Sequence, residues 1–413
     1  MTVEAPERTA RVPLPVWILA SSIFVLGTSE FVVAGLLPVI AADLGVTVPR
    51  AGLLISAFAV AMVLGAPAMA VLTLRLPRRT TLLAMLGVFA AGNVLAALSA
   101  DYGYLLVGRV VTAVATGGFW AVAAVVTVSL TPERARARAL AALVTGLTVS
   151  NIVGVPLGTF IGQQLGWRAT FWTVAGLAVL AVPAVVALVP NPARTATATR
   201  LGTEVRAFRS GRLWLALATT AVFQGGLIAL FAYVAPLLTD VAGLPAAAVP
   251  LVLAAFGLGN IVGINLGGRF ADAYPWRTLF TGLAGTVAVL VLLGITAGGP
   301  VVTVALVLLL GVIGFSVAAP LNARVFALAG PAPTLASAVN ASAFNVGNTV
   351  GPWLGGLVIS AGLGYAAPAW VGAAMLTSAL GLGLLSRRLD RRVEPSPVEP
   401  YAPSVRPECP MES

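Results

Sequence analysis

Two ionisable residues stand inside apolar runs of this sequence, Glu30 and Arg109, and they are where its chemistry must begin. An acid or guanidinium at membrane depth is costly to bury and marks a functional site by default. Leu26, Gly27, Val33 and Ala34 flank Glu30 at helical spacing. Gly27 and Ala34 are small enough to let a second helix approach closely, which turns the carboxylate toward a bundle interior. A carboxylate held there can take up and release a proton, contact a substrate, or keep a permanent hydrogen bond to a neighbouring helix. Arg109 continues along a face of Thr112, Ala113, Thr116 and Trp120. A buried guanidinium needs a carboxylate or a fan of carbonyls, and Glu30 and Asp43 are the acids available. The functional reading is a charge relay that changes partner as the acid is protonated. The plain alternative is a long side chain snorkelling from a helix end.

The neutral polar groups come next. Trp120, Asn151, Gln224, Tyr233 and Asn345 lie within apolar runs and are candidate cavity-lining residues, alongside Asn93, Asn260, Asn322 and Asn340. Most groups of this kind only bridge helices. Gly154, Gly158 and Gly162 recur every four residues and give a smooth stripe for helix contact, while Pro156 removes a backbone donor and invites a bend. Gly351, Pro352 and Gly355 repeat the arrangement later in the chain. A helix so built can rock against its neighbour. Asp43 and Asp240 end their runs and read as cap or loop residues.

Other chemistry is excluded by what is missing. The chain has no histidine and one cysteine, Cys409, so neither a His/Cys metal cluster nor an internal disulfide can form. It has no lysine, which rules out a P-loop. No cofactor is expected, and no enzymatic constellation can be assembled. The net charge of +10 sits on arginines in short loops, which reads as membrane orientation and not as nucleic-acid binding.

The elements that must position these residues are helices spanning a bilayer. Apolar residues make up 59% of the chain and charged ones 9%, against roughly 45–50% and 25% in soluble domains. Twelve runs are long enough to cross about 30 Å of hydrocarbon: 15–40, 51–74, 80–99, 104–129, 138–163, 168–189, 213–238, 247–268, 277–297, 300–325, 335–361 and 365–386. Arginines crowd the even-numbered connections and the termini, while the other side has only Arg50 and Arg168. The positive-inside rule then sets both termini in the cytoplasm. The expected organisation is an N-terminal segment 1–13, a six-helix half 14–189, a cytoplasmic linker 190–212, a second half 213–386 and a tail 387–413 of disordered composition.

The halves are repeats. A shift of 198 residues lays Pro38 on Pro236, Gly45 on Gly243, Gly65 on Gly263, Pro77 on Pro275 and Arg79 on Arg277. A shift of 197 lays Asn151–Gly154 on Asn348–Gly351 and Gly158 on Gly355. The fold class is therefore all-α membrane protein, two six-helix halves in parallel repeat, with a substrate site expected near the midplane between them.

These residues resemble the major facilitator superfamily, and within it the twelve-helix drug:proton antiporters. The loop motif after the second helix survives as Arg75, Arg78 and Arg79, with Leu74 where the family has an acid; the second copy keeps Asp272 and Arg277. Leu105 and Arg109 resemble the fourth-helix motif, and Gly154-Val155-Pro156-Leu157-Gly158 and Gly351-Pro352-Trp353-Leu354-Gly355 resemble the antiporter motif. Together with Gly27–Phe31, Gly117–Trp120 and Gly166–Arg168 they look most like bacterial chloramphenicol-resistance exporters and their sugar-efflux relatives. The resemblance implies proton-coupled export of a small amphipathic drug, a phenicol first, from a bacterial inner membrane. Its partners would be the small-molecule substrate, protons and lipid, and the protein a monomer. Export of a sugar or nucleoside is the alternative within the class, and a channel or receptor the alternative outside it.

Overall fold

The computed structural model describes residues 12–73, 76–132, 135–190, 210–329 and 333–391. The N-terminal half holds α1 (Leu14–Asp43), α2 (Val48–Leu72), α3 (Arg78–Ala97), α4 (Tyr102–Leu130), α5 (Arg136–Val149), α6 (Val155–Leu165) and α7 (Trp167–Leu188). The C-terminal half holds α8 (Gly211–Phe231), α9 (Val249–Ala273), α10 (Pro275–Thr296), α11 (Pro300–Ser316), α12 (Ala318–Ala329), α13 (Pro333–Ser360) and α14 (Ala367–Arg391). A π-helical turn, Ser150–Gly154, joins α5 to α6, so these two make one span. Pro156 has no N–H for the carbonyl one turn behind it, and the backbone answers with the wider turn.

Eleven segments among the described residues are long and apolar enough to cross a membrane, one fewer than the sequence reading expects. The missing one is the expected span 335–361. It is a helix of sufficient length, α13, but Asn340, Asn345, Asn348, Pro352 and its glycines hold down its apolarity. Most of the linker 190–212, the N-terminal segment and the tail with Cys409 lie outside the described residues.

The internal repeat is visible in the backbone. Gly45 and Gly243 both have positive φ, 61° and 70°, and so do Gly166 and Gly364, at 86° and 78°. Each pair is separated by the same 198 residues as the sequence repeat. These turns need the left-handed region, which glycine enters without steric cost. Where α4 begins, Asp101 accepts hydrogen bonds from the backbone N–H groups of Gly103 and Tyr104, a side-chain cap on two otherwise orphan donors.

The two halves meet unequally along their length. At the end bearing the α1–α2 and α6–α7 turns, a single apolar cluster runs through both halves, from Val32, Leu36 and Leu54 to Phe231, Tyr233 and Leu253. At the opposite end, where α1, α3 and α8 begin, the N-terminal half has its own cluster around Leu19, Leu86 and Phe119, with no C-terminal-half member. In the other half a small separate cluster lies around Leu213, Leu217 and Val325, while Leu279 and Leu321 belong to the cluster that continues from the first end. The first end is called here the closed end, the second the terminal end.

Candidate functional site

Arg109 is fully buried in α4. Its guanidinium donates to the Ser29 carbonyl at 2.6 Å and to the Glu30 carbonyl at 3.0 Å, both on α1. Of the partners the sequence allowed, the structure shows the carbonyls. The guanidinium also lies over the Phe58 ring of α2, its central carbon 4.2 Å from the centroid. Behind it, Ser29 Oγ donates to Asn93 Oδ1 at 3.0 Å, and Asn93 Nδ2 donates to the Phe89 carbonyl at 2.8 Å on α3. One charged side chain thus pins four helices of the N-terminal half. Snorkelling is ruled out, because the side chain points into the bundle and not to an interface.

The Glu30 carboxylate is close to this group yet forms no ion pair or hydrogen bond among the described residues. Glu30 is 9% exposed. A buried acid without a dedicated donor is costly unless its protonation or partner changes. Asp43, the other candidate for Arg109, is used elsewhere: it accepts from Trp167 Nε1 at 3.0 Å and from Arg168 at 2.5 Å. The positive φ of Gly166 turns Trp167 and Arg168 back onto the end of α1.

The glycine stripe of the fifth span lies on α1. A methyl group at Gly27 would strike Leu147 and Ser150 at 2.6 Å, one at Gly158 would meet Val32 at 2.7 Å, and one at Gly162 would meet Leu36 at 2.5 Å. At Gly154 it would run into Thr28 Oγ1. The repeat-related contact in the other half joins α13 to α8. There a methyl at Gly347 would be 2.5 Å from the Ala221 carbonyl, and Gly355 and Gly351 press on Ala229 and Gly225. Gly225 is Gly27 shifted by 198 residues. The two motif helices therefore press their glycines onto the first and seventh spans at equivalent places, against side chains in the first half and backbone in the second.

The seam between the halves has two sides. On one, Ser56 Oγ of α2 donates to the Thr349 carbonyl of α13 at 2.9 Å. Further toward the closed end Tyr233, fully buried, donates its hydroxyl to the Pro352 carbonyl at 2.8 Å and fills a notch at Gly52 of α2. On the other, a methyl at Gly257 of α9 would be 2.8 Å from the Asn151 carbonyl, and Gln163 Nε2 donates to the Ala246 carbonyl at 3.0 Å. Asn151, Tyr233 and the two motif helices all sit on this seam.

The remaining expected residues are placed as follows. Gln224 Nε2 donates to Asn348 Oδ1 at 2.8 Å, and Asn345 lies buried one turn away on α13. Trp120 is half-buried against the N-terminal cluster. Arg75 lies outside the described residues. Arg79 donates to the Val186 carbonyl at the end of α7. Arg78 is half-buried at the start of α3. Arg277 lies over the Tyr274 ring, 5.3 Å from its centroid, and Asp272 is exposed. Asp390 does more at this end than the loop motif: it takes Arg212 at 2.6 Å and Arg324 at 2.8 Å, joining α8, α12 and α14.

Phe58 and Asn348 were not singled out by sequence reasoning. Nothing in the spacing of Phe58 signals a guanidinium over its ring. Asn348 had a signal, since it opens the stretch that repeats Asn151–Gly154.

Two motif helices locked by glycine onto repeat-related partners, around a buried arginine on α4, agree with the family model for the Major Facilitator Superfamily, which matches residues 19–333. The chain belongs to the Major Facilitator Superfamily. It is 38% identical over 373 residues to the chloramphenicol resistance protein of Streptomyces lividans, covering 89% of this chain and 95% of the relative. It is 35% identical over 378 residues to the inner membrane transport protein YdhP of Escherichia coli (strain K12), covering 92% and 97%. Among solved structures it resembles a bacterial homologue of the human lysosomal transporter Spinster in an inward-facing, unoccupied conformation. The TM-score is 0.74 at 18% identity, covering 93% of this chain and 98% of that one. This superfamily member is a multi-pass membrane protein and a secondary transporter, not an enzyme.

Proposed function

We propose that this superfamily member exports a small amphipathic drug, chloramphenicol-type antibiotics first, in exchange for protons by alternating access. The observation that carries the reading is Glu30: a buried carboxylate with no fixed donor, on the helix whose backbone Arg109 grips. Protonation would remove its charge, and deprotonation would restore an attraction to Arg109 that competes with the carbonyls now holding the guanidinium. Each state then favours a different relation of α1 to its neighbours, which is what coupling requires. The apolar packing that joins the halves at one end, and the separate N-terminal cluster at the other, fit a state shut at the first end. With both termini cytoplasmic, as the arginine distribution implies, such a state would open inward. The identity to a protein named for chloramphenicol resistance supports the substrate class.

The test is accumulation of labelled chloramphenicol in cells with and without this protein, before and after an uncoupler. Lower accumulation that rises when the proton gradient collapses supports both substrate and coupling. Unchanged accumulation rejects phenicols and sends the assay to sugars and nucleosides, the alternative within the class.

A further inference from the structure

The C-terminal half contains a row of buried amides whose pairing within that half leaves two acceptors unmet. On α13, Asn340 is 6%, Asn345 9% and Asn348 7% exposed. Asn348 Oδ1 takes the Gln224 amide of α8, and Asn340 Nδ2 donates to Asn322 Oδ1 of α12 at 2.5 Å. Asn345 Nδ2 donates to the Ala341 carbonyl one turn back at 3.1 Å, which fixes which way the amide faces. Its Oδ1 is buried and has no hydrogen-bond partner, and the same holds for Asn340 Oδ1. Buried polar atoms are nearly always paired, so two unmet acceptors on one helix need an explanation.

Their place supplies it. Thr349, four residues beyond Asn345, is the seam contact with Ser56 of α2, and Asn348, three beyond, faces α8. Residues three and four apart share a helix face, so Asn345 lies one turn from the seam on its terminal-end side, facing the gap between α2 and α8. Neither α13 nor the membrane-buried length of α8 contains a charged residue. The side chains these helices bring there are amides and hydroxyls, which bind hydroxyl and amide groups and offer no counter-charge to an ion.

We propose that Asn345, with the Gln224–Asn348 pair beside it, is a hydrogen-bonding subsite for an uncharged substrate bearing hydroxyl or amide groups. This rests on the reading of the chain as an exporter of a small molecule. The Asn345 carbonyl accepts from a substrate O–H, and the Gln224–Asn348 pair anchors a second polar group. The N-terminal half holds the proton-linked pair, Glu30 and Arg109, so recognition and coupling sit on opposite halves and are joined only when substrate bridges them. A site built to satisfy a buried acceptor discriminates strongly against a molecule lacking the donor.

The experiment measures binding to the full chain in nanodiscs with four probes: chloramphenicol, its diacetyl ester with both hydroxyls capped, arabinose, and the cation tetraphenylphosphonium. Asn345→Leu should weaken chloramphenicol or arabinose at least tenfold and leave the capped ester unchanged. A wild-type protein that binds a neutral probe equally well after Asn345→Leu overturns the subsite. So does one that binds the cation and neither uncapped neutral probe, or binds none of the four. If arabinose but not chloramphenicol binds and shows the loss, the phenicol reading fails and the subsite stands. Should Asn345→Leu lose the capped ester as well, through misfolding, Gln224→Leu must reproduce the selective loss, and indifference there overturns the proposal.

Discussion

Arg109 grips the backbone of Glu30 and leaves its carboxylate free: the guanidinium donates to the Glu30 carbonyl at 3.0 Å, and no ion pair joins the two side chains among the described residues. A salt bridge would commit the acid to its charged form. A grip on the carbonyl leaves the acid uncommitted, so under the proposed coupling a change in its charge would be felt as competition for the guanidinium that now holds the backbone.

From this follows the first expected outcome. Glu30→Gln keeps the shape and removes the titration. In inverted vesicles, gradient-driven uptake of the exported substrate should fall at least tenfold to background, while exchange of labelled for unlabelled substrate without a gradient persists. Uptake that still follows the proton gradient would take Glu30 out of the mechanism.

The glycine stripe gives a packing prediction. Gly154→Ala places a methyl against Thr28 Oγ1 on α1. Overpacking of this kind costs about 1–3 kcal/mol, and a thermal-shift assay should show the lowered midpoint. Thr28→Ala in the same chain should recover most of the loss, because it removes the atom that the methyl meets. Additive losses in the double variant would mean that the two residues do not share the contact.

The closed end offers a third. Tyr233 fits α2 only because Gly52 has no side chain. Its hydroxyl bond is to Pro352 within its own half, so that bond survives when the halves part. Gly52→Val fills the notch and should shift the population toward an open seam. With Cys409 replaced by serine, a cysteine at Ser56 should then react with an impermeant thiol reagent several times faster than in the Gly52 background. Equal rates would show that the seam does not depend on this notch.

At the terminal end, Asp390 is shared by Arg212 and Arg324, whose side chains are 34% and 14% exposed. Asp390→Asn leaves the less exposed Arg324 without its carboxylate. Removing one partner of a well-buried pair costs about 3–5 kcal/mol, and the exposure here reduces that to about 1–3 kcal/mol. Arg212→Ala, at the wetter partner, should cost at most about 1 kcal/mol. Detergent-unfolding midpoints rank the two, and the reverse order would refute the assignment.

Much of the fold was legible because lipid imposes a local rule. A spanning segment must satisfy its backbone internally and show apolar side chains to hydrocarbon, so each helix announces itself by composition. The exception is instructive. The helix at Pro333–Ser360 carries three asparagines and several glycines because one side of it faces amides and backbone, not lipid. The stripe at Gly154, Gly158 and Gly162 was likewise readable as a contact surface, but that α1 is what it touches was not.

By itself, the sequence determined the membrane class and the two-half repeat, lacked the residues for a His/Cys metal cluster or a P-loop, and singled out Glu30 and Arg109 as the ionisable residues inside apolar runs. Each of these follows from residue type and spacing along one chain. Tertiary structure alone decided that Arg109 holds carbonyls, that Asp43 belongs to Trp167 and Arg168, that Tyr233 enters the Gly52 notch, and that Asn345 is left with an unmet acceptor. These are pairings between helices far apart in the chain, and one-dimensional periodicity gives the face a residue occupies without naming the helix that comes to meet it.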